Sequence, residues 1–268
     1  MFLFMSCRTQ PDEGRIISVT IEPQRYFAEK IGGDYFKINT VVPAGQSPET
    51  YDPAPQQMES IGKSLAYFQV GAIGFELTWI ENIKKNNPGV AFFDLSEGMH
   101  LIEETGHHHH AHDPHIWSSI HGAKVIVKNM LDAFIALDEE HADHYRRNCE
   151  ELMKEIDRTE EEILQLLKPV LSRAFIIYHP ALTYFAEEYN LQQLSIETDG
   201  KEPTPAQLKE LVDMARRHNA QVIFVQMEFD RKNAELIARE TGCRLVTINP
   251  LAYDWSREMI HIAKALAE

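Results

Sequence analysis

His141-Ala-Asp-His-Tyr145-Arg-Arg-Asn-Cys-Glu-Glu-Leu152-Met-Lys-Glu-Ile156-Asp-Arg-Thr-Glu-Glu-Glu-Ile163-Leu-Gln-Leu166-Leu167-Lys168 is the stretch that sets the architecture. Tyr145, Leu152, Ile156, Ile163, Leu166 and Leu167 fall on one stripe at helical spacing, charges fill the rest, and Pro169 stops the pattern. A helix of about thirty residues spans about 40 Å at 1.5 Å per residue, more than one small domain needs. The stretch, taken as 139–168, is expected to be a connecting helix between two domains.

On either side of it the sequence alternates strand and helix. Before it, Arg15–Ile21, Phe36–Val42, Leu65–Val70 and Val90–Leu95 are β-branched or aromatic runs, separated by helical patterns at Tyr26–Ile31, Pro55–Ser64 and Phe75–Asn86. A further helix is expected from Ser118 to Leu137. After it come strands at Ala174–Tyr178, Leu191–Ile196, Val222–Val225 and Arg244–Ile248. Their helices run over Leu182–Tyr189, Pro205–His218 with Thr204 as N-cap, Asp230–Thr241 with Gly242 as its stop, and Trp255–Ala267. Such alternation implies parallel sheets. The expected fold class is α/β: two similar parallel-sheet lobes, 15–138 and 169–268, joined by one long connecting helix, with a cleft between them.

Composition narrows the function classes. Of 268 residues 44% are apolar, enough for a substantial core, and no run of eighteen apolar residues offers a membrane span. A formal charge of −15 argues against nucleic-acid binding and suits a protein that handles cations, although most of the acidic excess is helix surface. Cys7, Cys149 and Cys243 form no Cys-x-x-Cys pair, which excludes an ordinary thiolate zinc site. Cys149 lies in a helical pattern and Cys243 between Gly242 and a strand, places where buried, inert thiols are expected. Cys7 differs: Met1-Phe-Leu-Phe-Met-Ser6-Cys7 followed by polar residues resembles the end of a bacterial lipoprotein signal, so 1–14 is taken as a signal remnant and linker, and Cys7 as the lipidation site.

The strongest compositional bias is Gly106-His-His-His-His-Ala-His112-Asp-Pro-His115-Ile-Trp117, where six of twelve residues are imidazoles. Imidazole is the commonest side-chain ligand for borderline divalent metals, and an internal tract is no terminal tag. His107, His108, His109, His110 and His112 lack apolar neighbours and suit an adaptable metal-collecting loop. His115 is different: the Asp113-Pro114 turn precedes it and Ile116-Trp117 anchors it, the setting of a preformed ligand. Three other polar residues stand beside prolines at element ends, Glu49 after Pro48, His179 before Pro180 and Asn249 before Pro250. With His115 they could converge between the lobes as the mixed N/O set that Zn2+ or Mn2+ accepts.

These residues lie in motifs that together resemble a known family. Pro43-Ala-Gly45 through Ser47-Pro48-Glu49-Thr50-Tyr51-Asp52-Pro53, the His loop running into Asp113-Pro114-His115-Ile116-Trp117, Tyr178-His179-Pro180-Ala181, Lys201-Glu202-Pro203-Thr204-Pro205 and Asn249-Pro250-Leu251 are similar to the metal-binding receptors of bacterial ABC importers for zinc and manganese, the zinc-uptake or adhesin solute-binding proteins. The resemblance covers nearly the whole chain. It implies two α/β lobes bridged by a long helix, a metal in the cleft, and delivery of that metal to a membrane permease by a monomeric, lipid-anchored receptor at the cell surface or in the periplasm.

Residue by residue, it makes His115 and His179 ligands. Glu49 stands where the family usually has histidine, and Asn249 where it usually has aspartate, so Asn249 is expected to be a weak ligand that water can replace. A carboxylate in the first position hardens the site toward Mn2+ or Fe2+, whereas the His loop resembles the zinc-specific branch; Zn2+ is the expected cargo, with Mn2+ or Fe2+ as alternatives. The resemblance implies a binder without chemistry of its own, not an enzyme. A metallohydrolase with Glu49 as general base would need an open coordination position, and no oxyanion element is recognisable in the sequence. An adhesin or zinc buffer working without a permease would keep the same metal site.

Overall fold

A computed structural model describes residues 14–103, 112–197 and 203–268. Cys7 and His107 to His110 lie outside the described residues. The first half carries four strands, β1 Ile16–Val19, β2 Lys37–Thr40, β3 Ala66–Gln69 and β4 Ala91–Asp94, hydrogen-bonded in parallel in the order β2-β1-β3-β4. The second half repeats the arrangement with β5 Ala174–Ile177, β6 Gln192–Ser195, β7 Val222–Gln226 and β8 Arg244–Ile248 in the order β6-β5-β7-β8. β3, β5 and β7 are buried along their whole length, as strands covered on both faces must be, whereas the edge strands β2 and β8 are partly exposed. In each sheet the chain leaves the first strand toward one edge and returns across it to the other side. That reversal leaves a crevice at the carboxyl ends of β1 and β3, and of β5 and β7, where ligands of open parallel sheets bind.

The helices are α1 Glu22–Gly32, α2 Pro55–Gly62, α3 Gly74–Asn86, α4 Ile120–Leu137, α5 Ala142–Leu167, α6 Thr183–Glu188, α7 Pro205–Arg217, α8 Lys232–Thr241 and α9 Trp255–Ala267. Their ends follow the local chemistry. The Thr204 hydroxyl accepts the Gln207 N–H at 3.3 Å while Gln207 Oε1 accepts the Thr204 N–H at 2.8 Å, a reciprocal cap that starts α7 with Pro205 in its first turn. Gly242 ends α8 at φ 76°, a left-handed conformation that glycine adopts without strain. Two starts differ from the sequence expectation. Residues 116–118 form a 3-10 turn and α4 begins after Ser119, whose Oγ accepts the Gly122 N–H at 3.0 Å. Asp230 Oδ1 accepts the Lys232 N–H at 2.8 Å, which holds Asp230 outside α8.

α5 is the long connecting helix, 26 residues or about 39 Å. Its buried stripe of Tyr145, Cys149, Leu152, Ile156, Ile163 and Leu167 packs against α1 and α4 of the first half and α9 of the second. One apolar core runs continuously from Ile17, Val19 and Phe68 through the α5 stripe to Phe175, Ile177, Phe224 and the Met259–Ile262 face of α9. The alternate residues of the same strands face outward into two smaller clusters, around Tyr67 and Phe75 in one half and Ile176, Ile223 and Val225 in the other. Polar ties reinforce the junction: Tyr26 and Ser256, from opposite ends of the chain, both hydrogen-bond to Glu155 on α5.

Candidate metal centre

Three side chains meet between the halves, each brought there by a loop at the carboxyl end of a sheet. His115 lies on the segment that leads from β4 into α4. Asp113 Oδ1 accepts its backbone N–H at 2.8 Å and stands 2.9 Å from its Nδ1, so one carboxylate fixes both main chain and ring. Asp113 is buried, and burial opposes its ionisation, but the His115 ring and hydrogen bonds from His115 and Thr183 outweigh that and hold it below the usual carboxylate range. Tyr184 Oη donates to the Asp113 carbonyl at 2.8 Å. The second half pins the segment further along: Trp117 Nε1 donates to the Pro250 carbonyl at 2.9 Å, and Trp255 Nε1 donates to the Trp117 carbonyl at 2.6 Å.

His179 follows β5. Its backbone exchanges hydrogen bonds with the Gln226 side chain, whose Nε2 donates to the His179 carbonyl at 2.7 Å. Its ring stacks on Phe229 at 5.4 Å, and its Nδ1 faces Glu197 Oε2 at 3.2 Å. Glu49 sits in the loop after β2. Its Oε2 accepts the Gly74 N–H at 3.0 Å, at the first residue of α3, where the helix dipole favours negative charge. Glycine is required there, because a Cβ at position 74 would lie 2.4 Å from the Glu49 carbonyl oxygen. Glu49 Oε1 is left buried without a hydrogen-bond partner.

The ligand atoms of Glu49, His115 and His179 all lie within 4.8 Å of one another. Nε2 of His115 is 3.3 Å from Nε2 of His179 and 3.8 Å from Glu49 Oε1. Two nitrogens bound to a tetrahedral zinc at its usual bond length would be about 3.3 Å apart. Both rings have Nδ1 against a carboxylate, the partner that keeps the proton on Nδ1 and turns an Nε2 lone pair toward the cavity. Two lone pairs and an unpartnered carboxylate oxygen repel one another unless something positive sits between them. Glu49, His115 and His179 line a small cavity together with Ser47, Glu228 and Phe229.

The remaining candidates from the sequence stand differently. Asn249 Oδ1 accepts the Leu251 N–H at 3.2 Å, and the residues of its loop that line the cavity are Pro250 and Leu251. His112 is exposed, pairs through its backbone with Glu103, and does not line the cavity. Three acidic residues went unrecognised in the sequence. The sequence marks Asp113 only as a turn residue, and Glu197 lies one residue beyond the strand expected at Leu191–Ile196. Glu228, in the loop after β7, lines the cavity beside the histidines, and burial raises its carboxyl against the pull of its own backbone N–H and of His179 and His115. Their common signal was an acidic residue just beyond the carboxyl end of a strand or beside a candidate ligand.

Residues 17–268 match the family described as zinc-uptake complex component A, periplasmic (ZnuA). The chain belongs to the ZnuA family. A crystal structure of a ZnuA is 36% identical and superposes with a TM-score of 0.90, covering 95% of this chain and 98% of that one. The high-affinity zinc uptake system protein ZnuA of Bacillus subtilis is 26% identical over 250 residues, 88% of this chain and 78% of its own length. The manganese ABC transporter substrate-binding lipoprotein PsaA of Streptococcus anginosus is 24% identical over 226 residues, 80% of this chain and 72% of its own. ZnuA membership bears out the resemblance carried by the sequence motifs, and the shared fold bears out the two-lobe α/β architecture with its long helix.

Proposed function

We propose that this ZnuA-family chain is an extracytoplasmic receptor that binds one divalent transition-metal cation, Zn2+ first and Mn2+ or Fe2+ as alternatives, and hands it to the permease of an ABC importer. Glu49 Oε1 and Nε2 of His115 and His179 hold the cation as cargo. The observation that carries this reading is the pair of imidazole lone pairs, 3.3 Å apart and each backed by a carboxylate, beside the unpartnered Glu49 oxygen. Support for zinc comes from the zinc-uptake family and from the donor set, which mixes nitrogen and oxygen as zinc sites do. The PsaA likeness keeps manganese in view. The fourth position belongs to water, to Asn249 or to a further donor.

The receptor acts by binding and release rather than by catalysis, a reading supported by the zinc-uptake family to which the chain belongs. A lipid on Cys7 anchors the monomer to the membrane, a role supported by the apolar run Met1–Met5 and the small Ser6 before it. The His-rich tract, His107 to His110 and His112, collects cations. The test is competitive titration of the full chain with Zn2+ against Mn2+, alongside His115→Ala and His179→Ala. Tight one-to-one binding that weakens at least about tenfold in each variant is expected. Absence of tight binding in the parent chain, or unchanged affinity in both variants, would overturn the reading.

A further inference from the structure

We propose that Glu228 supplies the fourth donor to the bound cation, in place of Asn249, so that the centre is built from two histidines and two carboxylates. The inference rests on the receptor reading above and adds a ligand to its site.

The placement of Glu228 is imposed from both sides. Gln226, two residues before it, is hydrogen-bonded to the His179 backbone in both directions, and Phe229, the next residue, stacks on the His179 ring. Glu228 is thus carried on a loop tied to one of the ligands. Its neighbour Met227 is 67% exposed, while Glu228 is half-buried and lines the cavity, just outside the group of ligand atoms that Glu49, His115 and His179 bring within 4.8 Å of one another. Among the described residues no lysine or arginine forms an ion pair with it, so its charge is not already neutralised. Asn249, by contrast, spends its side-chain oxygen on the Leu251 N–H.

Donor strength separates the two candidates. Asn249 offers only a neutral amide oxygen, and that oxygen already accepts the Leu251 N–H, whereas Glu228 offers a carboxylate oxygen, the harder and stronger donor to a divalent cation. Carboxylate oxygens bind zinc at about 2.0–2.2 Å and also suit manganese, so the second carboxylate favours the loaded state for either cargo.

The experiment uses the full chain and Zn2+ as the probe. Dissociation constants are measured by competition with a chromogenic chelator for the parent, Glu228→Gln, Asn249→Ala and His179→Ala chains, and X-ray absorption at the zinc edge counts oxygen donors. Glu228→Gln should weaken zinc at least about tenfold and change the oxygen shell, while Asn249→Ala should change affinity by less than about threefold. Metal-free melting curves of all four chains establish that each is folded. Parent-like affinity in Glu228→Gln together with loss in His179→Ala would overturn the Glu228 assignment and leave the receptor reading standing. A large loss in Asn249→Ala with none in Glu228→Gln would return the fourth position to Asn249, and a parent chain that binds no zinc would remove both proposals.

Discussion

Replacing Gly74 by alanine should weaken cation binding through a residue that carries no donor. The added Cβ would lie 2.4 Å from the Glu49 carbonyl oxygen and 2.8 Å from Glu49 Oε2. Moving from 2.4 Å to the 3.4 Å at which ordinary contacts begin is a retreat of about 1 Å, and the moving atom is backbone, so the whole loop must shift. Metal–ligand distances tolerate about 0.2 Å. Glu49 Oε1 would leave the cavity, and the Gly74 N–H that holds Oε2 at 3.0 Å would lose its partner. The expected loss is about ten- to a hundredfold in zinc affinity, or about 1.4–2.8 kcal/mol. Helix propensity runs the other way, since alanine favours a helix over glycine by up to about 1 kcal/mol, so a weakened site is not a weakened α3. Calorimetric titration with a competing chelator reads the affinity. In a Glu49→Ala background the same substitution should cost no further affinity, because the loop it shifts then carries no carboxylate donor. A folded Gly74→Ala chain with affinity within about twofold of the parent would refute the chain of reasoning from close approach to carboxylate placement.

Asp113→Asn keeps the size of the group that faces His115 Nδ1 but removes its charge, so the ring loses the partner that fixes its tautomer; zinc affinity should fall about ten- to a hundredfold, and an unchanged isotherm would show that Asp113 only shapes the turn. A third prediction concerns Glu76, which is buried against Thr20 and the Val70 and Gly71 N–H groups and whose carboxyl burial pushes up to about 7 despite those hydrogen bonds. The folded chain therefore holds this proton more tightly than the unfolded chain, so the linked stability is present below about pH 4.5 and is lost as pH rises through about 7. At 1.36 kcal/mol per unit the loss is about 3 kcal/mol. Urea unfolding of the metal-free chain between pH 5 and pH 8 should show the parent losing about that much relative to Glu76→Gln, and parallel profiles would contradict it.

The alternation of β-branched runs with amphipathic helices made the two sheets legible, because each period is a local property of about ten residues. Proline and threonine at 204–205 and glycine at 242 marked helix ends for the same reason. His115 and His179 were legible as rigidly framed imidazoles. Glu228 was not: it reaches the cavity because β7 pairs with β5, a neighbour fixed by sheet order across a sequence separation of 49 residues between His179 and Glu228, and no local pattern encodes that. Glu197 is hidden likewise, since it meets His179 through the pairing of β6 with β5. The helix expected from Ser118 starts two residues later, at Ile120, because the Ser119 cap that sets its first turn acts through one side-chain oxygen. Apolar residues such as Phe175 and Trp255 announced burial but not their partners, so the fusion of both halves into one core could not be read in advance.

That fusion limits how the protein can announce what it carries. A receptor built on a slack hinge reports its cargo by posture, closing when full and gaping when empty. Here a hinge motion would have to pull apart a core threaded through α5 and break the two tryptophan hydrogen bonds that clasp residue 117 to both Pro250 and Trp255. A bound ion is therefore expected to act locally, tightening the loops that carry Glu49, His115 and His179 while the core through α5 stays as it is.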